Sequence, residues 1–336
     1  MDVVVCSEPR ELKLEQRPKP VRGEDEVLVR IRRIGVCGTD MHIFTGNQPY
    51  LSYPRVMGHE LAGEVEEAPD GSGLGRGDSV YIIPYIACGS CVACRKGKPN
   101  CCTKIGVLGV HRDGGLAQYL SVPQNYVKKA DGITLDQAAM AEFLAIGAHA
   151  VRRANIECGQ KILVVGAGPI GIAVALFSKL RGAGVTALDG RADRLDFCRD
   201  TIGVEATVSL GDSTRDELER LTDGDFFDVV FDATGSPKAM EAGFAYVAHG
   251  GIYVLVSIVS ADIRFSDPEF HKREMTLMGS RNATAEDFET VVQAMRDGLV
   301  PTAALHTHSA PLADLPEIFP VWLEPSAGVI KAIVAA

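Results

Sequence analysis

The sequence predicts an α/β protein with a β-rich first domain and a second domain built on a doubly wound parallel sheet. Three observations predict this fold. The chain has 336 residues, of which 46% are hydrophobic, and this is enough for about two cores. Short strand patterns broken by Gly, Pro and Asp continue to about residue 130. Strand and helix patterns then alternate from about residue 135, which is typical of βαβ units.

Three segments of the first region are predicted to form strands. Residues 27–31 alternate between apolar and polar side chains, as a half-buried strand requires. Residues 61–66 and 77–83 have the composition of strands and flank a glycine-rich turn. These patterns predict a β-rich, partly barrel-like domain.

The second region begins with an Ala-rich segment at residues 135–155, whose apolar residues have helical spacing. Helices and strands then follow in alternation. The predicted helix of small residues is 170–180, and the predicted strands are 161–165, 184–188, 228–232 and 251–256. Because such crossovers are right-handed and join parallel strands, we expect one parallel sheet.

The pattern changes again after about residue 280. Residues 286–297 predict a helix, and residues 328–334 predict a terminal strand. We infer that this tail rejoins the first domain, so that the α/β unit is an insertion. The predicted domains are residues 1–147, 148–283 and 284–336.

Composition excludes several classes of partner. The net charge of −10 and the isoelectric point of about 5.3 argue against nucleic-acid and anionic-membrane partners. No apolar run approaches the ~20 residues of a membrane span, and the first residues do not resemble a secretory signal, so the expected location is the cytoplasm. Nine cysteines in such a chain predict thiolate chemistry or metal binding rather than disulfides.

A glycine motif follows the predicted strand 161–165. Gly166 allows a tight turn, Gly168 lets the backbone approach a pyrophosphate, and Gly171 allows close packing of helix on strand. Pro169 and Ile170 open the helix, whose N-terminal N–H groups favour a diphosphate. The motif predicts a dinucleotide-binding domain.

The nature of the dinucleotide follows from an acidic residue. Asp189 ends the next predicted strand and is expected to accept hydrogen bonds from the adenosine ribose. Because a carboxylate repels a 2′-phosphate, NAD is favoured, whereas the nearby Arg191 and Arg194 keep NADP as an alternative. Ser257, just after the strand 251–256, is also predicted to bind the cofactor, as is Arg194.

Four cysteines predict a structural metal site. A lobe of about 15 residues has no room for its own core, so tetrahedral zinc–thiolate bonds are expected to hold it together. Free thiols and an iron–sulfur cluster are the alternatives, but iron–sulfur motifs have a shorter gap before their fourth cysteine. Because Cys101 precedes the fourth ligand, that position is ambiguous by one residue, and we choose Cys102. The predicted ligands are Cys88, Cys91, Cys94 and Cys102.

A second set of metal-ligating residue types is scattered along the chain. It comprises Cys37, His59, Glu60 and Glu142. Each also has a structural interpretation, since a cysteine after a strand is often core and a glutamate often lies on a solvated helix face. Spacing alone therefore leaves a second zinc site and a purely structural role open.

The order of these motifs resembles that of zinc-dependent medium-chain alcohol dehydrogenases over nearly the whole chain. The glutamate pair Glu60 and Glu142 resembles the polyol branch, which includes sorbitol and threonine 3-dehydrogenases. Residues 53–60, 97–100 and 106–115 resemble bacterial sugar-acid dehydrogenases that oxidise L-galactonate or L-gulonate at C5. The resemblance implies a GroES-like catalytic domain and a Rossmann cofactor domain.

The resemblance also implies the catalytic residues. Cys37, His59 and Glu60 are implied to hold a catalytic zinc, with Glu142 at or near a fourth position. The family usually has proline after that second glutamate, but Phe143 stands here, which puts the reach of Glu142 in doubt. The implied cofactors are two zinc ions per chain and NAD.

Zinc lowers the pKa of a coordinated hydroxyl, and the resemblance implies that hydride then passes to the nicotinamide. Cys37 thiolate and Glu60 carboxylate together cancel the metal charge, so a permanently bound Glu142 would blunt this acidity. Our hypothesis is that Glu142 holds the zinc or its water at rest and yields to substrate. The hydroxyl of Thr39 is expected to take the alcohol proton, and His42 or the cofactor ribose to pass it to water. The alternative is that Thr39 is a turn residue and His42 a surface histidine.

The substrate pocket is less clearly marked. Phe44, Tyr50 and Phe143 either line it or pack in the core. Arg281 and Asn282 lie where the polyol branch places a substrate-facing segment, and an arginine there clamps a carboxylate, unless it is a surface or subunit-contact residue. His111 and Arg112 are weaker candidates for this task.

The sequence therefore predicts oxidation of a sugar acid such as L-gulonate or L-galactonate at C5 to the keto acid, with NAD. L-Threonine 3-dehydrogenase and neutral-polyol dehydrogenase are the alternative enzymes. An inactive cofactor-binding regulator is the alternative of another class, but it predicts lost metal ligands, whereas the set is complete. The resemblance also implies a homodimer or homotetramer.

Overall fold

The computed structural model describes residues 1–48 and 51–336, which divide into two compact units. Unit 1 comprises Met1–Phe143 and Thr284–Ala336, and unit 2 comprises Leu144–Ala283. The C-terminal segment thus belongs to the same unit as the N-terminal region. The division falls at residue 144, a few residues before the boundary that the sequence suggested.

Strands and helices are named here in chain order. The strands are β1 (Asp2–Glu8), β2 (Glu11–Gln16), β3 (Glu26–Val36), β4 (Arg55–Val56), β5 (Glu60–Glu67), β6 (Ser79–Ile82), β7 (Tyr85–Ile86), β8 (Gly106–Val107), β9 (Tyr119–Pro123), β10 (Val127–Lys129), β11 (Lys161–Val165), β12 (Gly184–Asp189), β13 (Ala206–Ser209), β14 (Phe227–Asp232), β15 (Val247–Leu255), β16 (Thr276–Gly279), β17 (His306–Pro311) and β18 (Lys331–Ala335). The helices are α1 (Gly38–Thr45), α2 (Val92–Arg95), α3 (Leu135–Ala139), α4 (Ala141–Ala154), α5 (Pro169–Leu180), α6 (Ala192–Phe197), α7 (Thr214–Leu221), α8 (Pro237–Gly243), α9 (Asp267–Lys272), α10 (Ala285–Arg296), α11 (Thr302–Leu305) and α12 (Leu315–Trp322). Within the described part of the chain, no helix combines the length and the apolar character needed to cross a bilayer.

The main sheet of unit 1 contains the predicted strands of the first region. Its order is β10-β6-β5-β3-β18-β17, and β9 also pairs with β3. The pairs β3–β5 and β5–β6 are antiparallel, as expected for strands joined by turns. The C-terminal strand β18 pairs antiparallel with β3, so the last residues of the chain lie beside the strand that leads to Cys37.

Unit 2 is a parallel sheet flanked by helices. The strand order is β13-β12-β11-β14-β15-β16, and every neighbouring pair is parallel. The first strand in sequence therefore lies between the second and the fourth, which is the doubly wound arrangement that binds ligands where the strand order reverses. Leu163, Val230 and Tyr253 are fully buried in its core. The predicted parallel sheet is confirmed.

The predicted helix at residues 135–155 is wrong in one respect, because two helices are present. Thr134 caps α3 by accepting a hydrogen bond from the N–H of Gln137. The N–H of Met140 then bonds the carbonyl of Gln137, which closes a tight turn instead of continuing the helix. A second helix, α4, begins at Ala141 and carries Glu142 in its first turn.

Candidate active site and cofactor-binding residues

A thiol, an imidazole and a carboxylate converge in unit 1. Cys37 lies between β3 and α1, whereas His59 and Glu60 lie where β5 begins. Because β3 and β5 pair antiparallel with Gly35 opposite Glu60, Cys37 comes beside the start of β5. One ligand atom from each of Cys37, His59 and Glu60 lies within 4.8 Å of the others. The structure thus brings together three of the four predicted catalytic ligands.

Asp40 holds the segments that carry these ligands. Its carboxylate accepts the N–H of Cys37 at 2.9 Å and the N–H of Gly58 at 3.2 Å. The side chain is buried, and its Oδ1 lies 3.8 Å from Nδ1 of His59. Asp40 was not among the predicted site residues, because an aspartate in a first helical turn is usually explained as a cap.

The three side chains fit a zinc ion. Thiolate sulfur, imidazole nitrogen and carboxylate oxygen are zinc donors, and three protein donors leave a fourth position for a substrate. Nδ1 of His59 is buried and has no hydrogen-bond partner among the described residues. A buried nitrogen without a partner is costly unless it binds something, either a metal or the carboxylate beside it.

Lys331 adds a positive charge that the sequence analysis missed. Its ammonium group is 1% exposed, lies 2.7 Å from both carboxylate oxygens of Glu60, and donates to the carbonyl of Val36 at 3.0 Å. Burial by itself lowers the pKa of Lys331, but the charges of Glu60 and Cys37 outweigh it and raise the pKa overall. The ammonium group also lies 4.3 Å from the centre of the Phe143 ring. The signal in the sequence was a single lysine within an apolar terminal strand.

This lysine changes the charge balance of the site. Cys37 thiolate and Glu60 carboxylate carry two negative charges, and Lys331 returns one positive charge. Lys331 thus offsets one of the two negative charges that the ligands of a divalent metal would carry, while Asp40 and Glu142 place further buried carboxylates nearby. The sequence-based count omitted Lys331, whose positive charge favours an oxyanion at such a metal, and Asp40, whose negative charge opposes it.

Glu142 is buried close to these residues but is bonded to a tyrosine. One of its carboxylate oxygens accepts a hydrogen bond from the hydroxyl of Tyr85. Burial raises the pKa of Glu142, and burial together with the Glu142 charge raises the pKa of Tyr85 well above its ordinary value. Tyr85 therefore stays protonated and acts as the donor. The ligand atoms that lie within 4.8 Å of one another around Cys37 are those of Cys37, His59 and Glu60, and the group does not include Glu142.

Thr39 and His42 lie on the same side of α1. Residues three apart in a helix are neighbours, and Thr39 is half-buried whereas His42 is exposed. The side chains of Thr39 and His42 thus lie one after the other between the position next to Cys37 and the solvent. This is the arrangement that a proton relay requires, although the relay itself stays a prediction.

The aromatic residues suggested for the substrate pocket differ in position. Phe44 is buried, with its ring centre 5.3 Å from that of Phe319, which is a core contact. Phe143 is also buried and packs against Lys331. Tyr50 lies outside the described residues.

The four-cysteine lobe forms a compact sulfur cluster. Cys91 lies 3.5 Å from Cys94 and 3.9 Å from Cys102, measured between sulfur atoms. Tetrahedral zinc with Zn–S bonds of about 2.3 Å requires sulfur separations of about 3.8 Å, so the lobe fits zinc. The cluster contains Cys102, which is buried, and not the exposed Cys101. The four sulfur atoms of Cys88, Cys91, Cys94 and Cys102 all lie within 4.8 Å.

Backbone N–H groups stabilise thiolates in this lobe. The N–H groups of Cys88 and Lys104 each lie 3.3 Å from the sulfur of Cys102. Backbone N–H groups of Cys94 and Thr103 lower the pKa of Cys91 to about 5. Burial and the neighbouring sulfurs instead raise the pKa of Cys94 to about 12. The Cys91 thiol is thus the one that these N–H groups prepare for a cation.

The glycine motif of unit 2 has the expected geometry. Gly166 has a φ of +94°, which favours glycine, and Gly168 caps α5. A side chain at Gly171 would collide with the carbonyl of Gly166, whereas one at Gly168 would meet open space. The open space at the start of a helix fits a diphosphate. Pro169 and Ile170 form the first turn of that helix.

Asp189 is the last residue of β12, and its side chain bonds the loop that carries the glycine motif. Its carboxylate accepts the N–H of Ala167 at 2.6 Å and the N–H of Arg191 at 2.8 Å. The side chain of Arg191 pairs with Asp193, and Arg194 is buried. The negative charge of Asp189 therefore stands at the carboxyl end of β12, where a ribose is expected.

A buried aspartate joins the loops after β14 and β15. Asp232 accepts hydrogen bonds from the N–H of Thr234 at 3.0 Å and from its hydroxyl at 2.9 Å. It also lies 3.3 Å from the hydroxyl of Ser257, which in turn accepts the N–H of Gly235 at 2.9 Å. This network holds the predicted cofactor residue Ser257 at the carboxyl edge of the sheet, and the sequence analysis did not identify Asp232.

Arg281 and Asn282 follow β16 in unit 2. Arg281 is exposed, and Asn282 adopts a positive φ of 52°, which turns the chain after the strand. Of the weaker candidates, His111 lies in unit 1, where its Nδ1 accepts the N–H of Val107 at 3.3 Å.

Two family models match the chain, one within unit 1 and one that covers most of unit 2 and continues into the C-terminal segment. The alcohol dehydrogenase GroES-like domain matches residues 23–132, and the zinc-binding dehydrogenase domain matches residues 169–297. L-galactonate-5-dehydrogenase of Escherichia coli K12 is 43% identical, over 95% of this chain and 94% of that protein. D-altritol 5-dehydrogenase of Agrobacterium fabrum is 33% identical, over 87% of each chain. An alcohol dehydrogenase of E. coli CFT073, solved with NADH, superposes with a TM-score of 0.94 at 26% identity, over 100% of this chain and 99% of that one.

Proposed function

The chain belongs to the zinc-dependent alcohol dehydrogenase family, and from this membership we propose that it oxidises a secondary alcohol of a sugar acid with NAD. The membership confirms the predicted family, fold class and class of enzyme. The proposed substrate is an aldonate such as L-galactonate or L-gulonate, oxidised at C5 to the keto acid. The identity of 43% to an L-galactonate-5-dehydrogenase supports this substrate class.

The observation that carries the proposal is the cluster of half-buried Cys37 with buried His59 and Glu60, in which Lys331 bonds the carboxylate of Glu60. These three side chains would hold a catalytic zinc, and Cys88, Cys91, Cys94 and Cys102 a structural one. When bound, zinc supplies a Lewis acid that lowers the pKa of an alcohol hydroxyl. Lys331 offsets the charge of Glu60 and so favours the deprotonated alcohol.

The reaction removes a hydride and a proton from the alcohol. NAD, when bound, would supply the hydride acceptor, so that the carbon would become a ketone. Thr39 accepts the hydroxyl proton while it passes its own proton to His42, and His42 delivers it to water. The half-buried position of Thr39 and the exposed position of His42 support this direction of transfer.

NAD is favoured over NADP by Asp189. Its carboxylate is fixed by two backbone N–H groups and would repel a 2′-phosphate. Gly166, Gly168 and Gly171 would cradle the diphosphate, and Asp232 would position Ser257 beside it. Arg194 is buried, and this supports a role in packing rather than in binding a phosphate.

The carboxylate of the sugar acid is assigned to Arg281. We expect Arg281→Ala to raise KM for L-galactonate by about 10- to 100-fold, since a charged hydrogen bond contributes about 1.5–3 kcal/mol. KM for a neutral polyol should change little, because no carboxylate is lost. Steady-state kinetics with both substrates measure the difference, and Arg264→Ala, which removes another exposed arginine of unit 2, is the control. Equal effects of Arg281→Ala on both substrates would remove this assignment.

A neutral polyol is the second candidate substrate, because the chain is 33% identical to a D-altritol 5-dehydrogenase. Initial rates with L-galactonate, L-gulonate, D-altritol, sorbitol and L-threonine, each with NAD and with NADP, distinguish the candidates. The proposal predicts the highest kcat/KM for an aldonate with NAD. A higher value for a polyol or for threonine would replace it.

The proposed assembly is a homodimer or homotetramer. Strand β16 lies at the edge of the parallel sheet, and Leu277 on it is exposed, so this edge supports pairing with a second copy. The proposed location is the cytoplasm. All nine cysteines are free, which suits a reducing compartment.

A further inference from the structure

We propose that Tyr85 is a positioning residue that holds Glu142 away from the catalytic metal in the resting site. This replaces the sequence-based hypothesis that Glu142 itself holds the zinc or its water at rest. The inference deepens the proposed function and rests on a metal at Cys37, His59 and Glu60. It concerns how the fourth coordination position is kept for the substrate, and it assigns a role to a tyrosine that is not itself a metal ligand.

The hydrogen bond between Tyr85 and Glu142 is buried. The two residues are 4% and 5% exposed, and the hydroxyl of Tyr85 donates to a carboxylate oxygen of Glu142. The Tyr85 ring packs edge-on against Phe288, with ring centres 6.3 Å apart at an angle of 63°. Phe288 is stacked on Tyr81 at 5.9 Å. Packing therefore holds the tyrosine ring in place, and with it the position of the hydroxyl oxygen beside Glu142.

The surrounding charges explain why Glu142 needs this donor. Glu142 lies close enough to Glu60 for their charges to interact unfavourably. The three protons of the Lys331 ammonium already have acceptors in the two oxygens of Glu60 and the carbonyl of Val36. Tyr85 thus gives the buried carboxylate of Glu142 a hydrogen-bond donor, and this donor adds no charge to the site.

The choice between tyrosine and metal alters the charge of the metal's ligand shell. With Glu142 on Tyr85, Cys37 and Glu60 are the two anionic protein ligands that a divalent metal would have. With ionised Glu142 as a fourth ligand, the shell would gain a third negative charge, the metal would be held more tightly and its position for a substrate hydroxyl would be filled. Tyr85 therefore favours an open, electrophilic site at the expense of metal affinity.

The test is Tyr85→Phe, which removes the hydroxyl and keeps the ring against Phe288. Without its donor, Glu142 is left with the metal as its best partner. We expect release of the catalytic zinc to a chelator to slow about tenfold, as the loss of about one hydrogen bond implies. The visible spectrum of the Co²⁺-substituted enzyme should also change, because a ligand is added. Catalytic zinc is identified as the release phase that Cys37→Ala lacks.

Two further variants separate this role from a structural one. Tyr81→Phe removes a neighbouring hydroxyl from the same aromatic cluster and should leave zinc release and the Co²⁺ spectrum unchanged. Adding Glu142→Gln to Tyr85→Phe should restore fast release, because the competing carboxylate is gone. Identical zinc release and spectra for Tyr85→Phe and the wild type would overturn the proposal. So would slow release that persists in the double variant.

These measurements are made without substrate, so they separate the two proposals. An enzyme that shows the expected zinc release but oxidises no sugar acid contradicts only the proposed substrate. An enzyme that oxidises L-galactonate but releases zinc equally from all variants contradicts only the role of Tyr85.

Discussion

Lys331→Met should lower the free energy of unfolding by up to about 3–5 kcal/mol, which is the cost of leaving one partner of a buried ion pair unpaired. Glu60 is fully buried and has Lys331 at 2.7 Å from both oxygens. Methionine has a similar length but no charge. A bound zinc would replace part of the lost positive charge, so a chelator should destabilise the variant more than it destabilises the wild type. Urea denaturation with and without chelator measures both effects.

The same variant should oxidise alcohols more slowly, because the site loses the positive charge that favours a deprotonated hydroxyl. Lys13→Met is the matched control, since Lys13 also pairs with a glutamate but lies on the surface. That control should change neither stability nor rate measurably. Lys331→Met with the stability and rate of the wild type would show that the ion pair has no part in the site.

Thr39→Val should reduce kcat by about 10²- to 10⁴-fold, the usual contribution of a positioned proton acceptor. Valine keeps the shape of threonine and removes the hydroxyl that starts the relay to His42. Because Thr39 is not a metal ligand, the zinc content should remain that of the wild type. Steady-state rates and metal analysis on the same sample check the two statements.

Thr45→Val is the control for this substitution. Thr45 lies on the same helix, and its hydroxyl bonds the carbonyl of Met41 rather than facing the Cys37 cluster. The Thr45→Val variant should therefore retain nearly the full wild-type activity. If Thr39→Val were as active as Thr45→Val, the proton would leave by another route.

The fold was largely predictable because local patterns determine it. The strand before Gly166 and the helix after it were identified from apolar periodicity and glycine chemistry, and α10 was placed within one residue at each end. The break at Met140 was missed because residues 138–145 are apolar apart from Glu142, and such a run is consistent with one continuous helix. Tertiary packing determines where this run divides into the helices α3 and α4.

The site was predictable only in part, because its supporting contacts are long-range. Cys37, His59 and Glu60 were named from family resemblance, and the pairing of β3 with β5 brings them together. Lys331 is 271 positions from Glu60, and Tyr85 is 57 positions from Glu142. No local pattern predicts such pairs, since a buried lysine or tyrosine becomes a site residue only once the sheets have formed.

The most direct test of the central claim is zinc analysis combined with L-galactonate oxidation in the wild type and in Cys37→Ala. The account predicts two zinc ions per chain and formation of NADH and the 5-keto acid for the wild type. For Cys37→Ala it predicts one remaining zinc, held by the four-cysteine lobe, and no oxidation. A Cys37→Ala enzyme that kept two zinc ions and oxidised L-galactonate at the wild-type rate would contradict it.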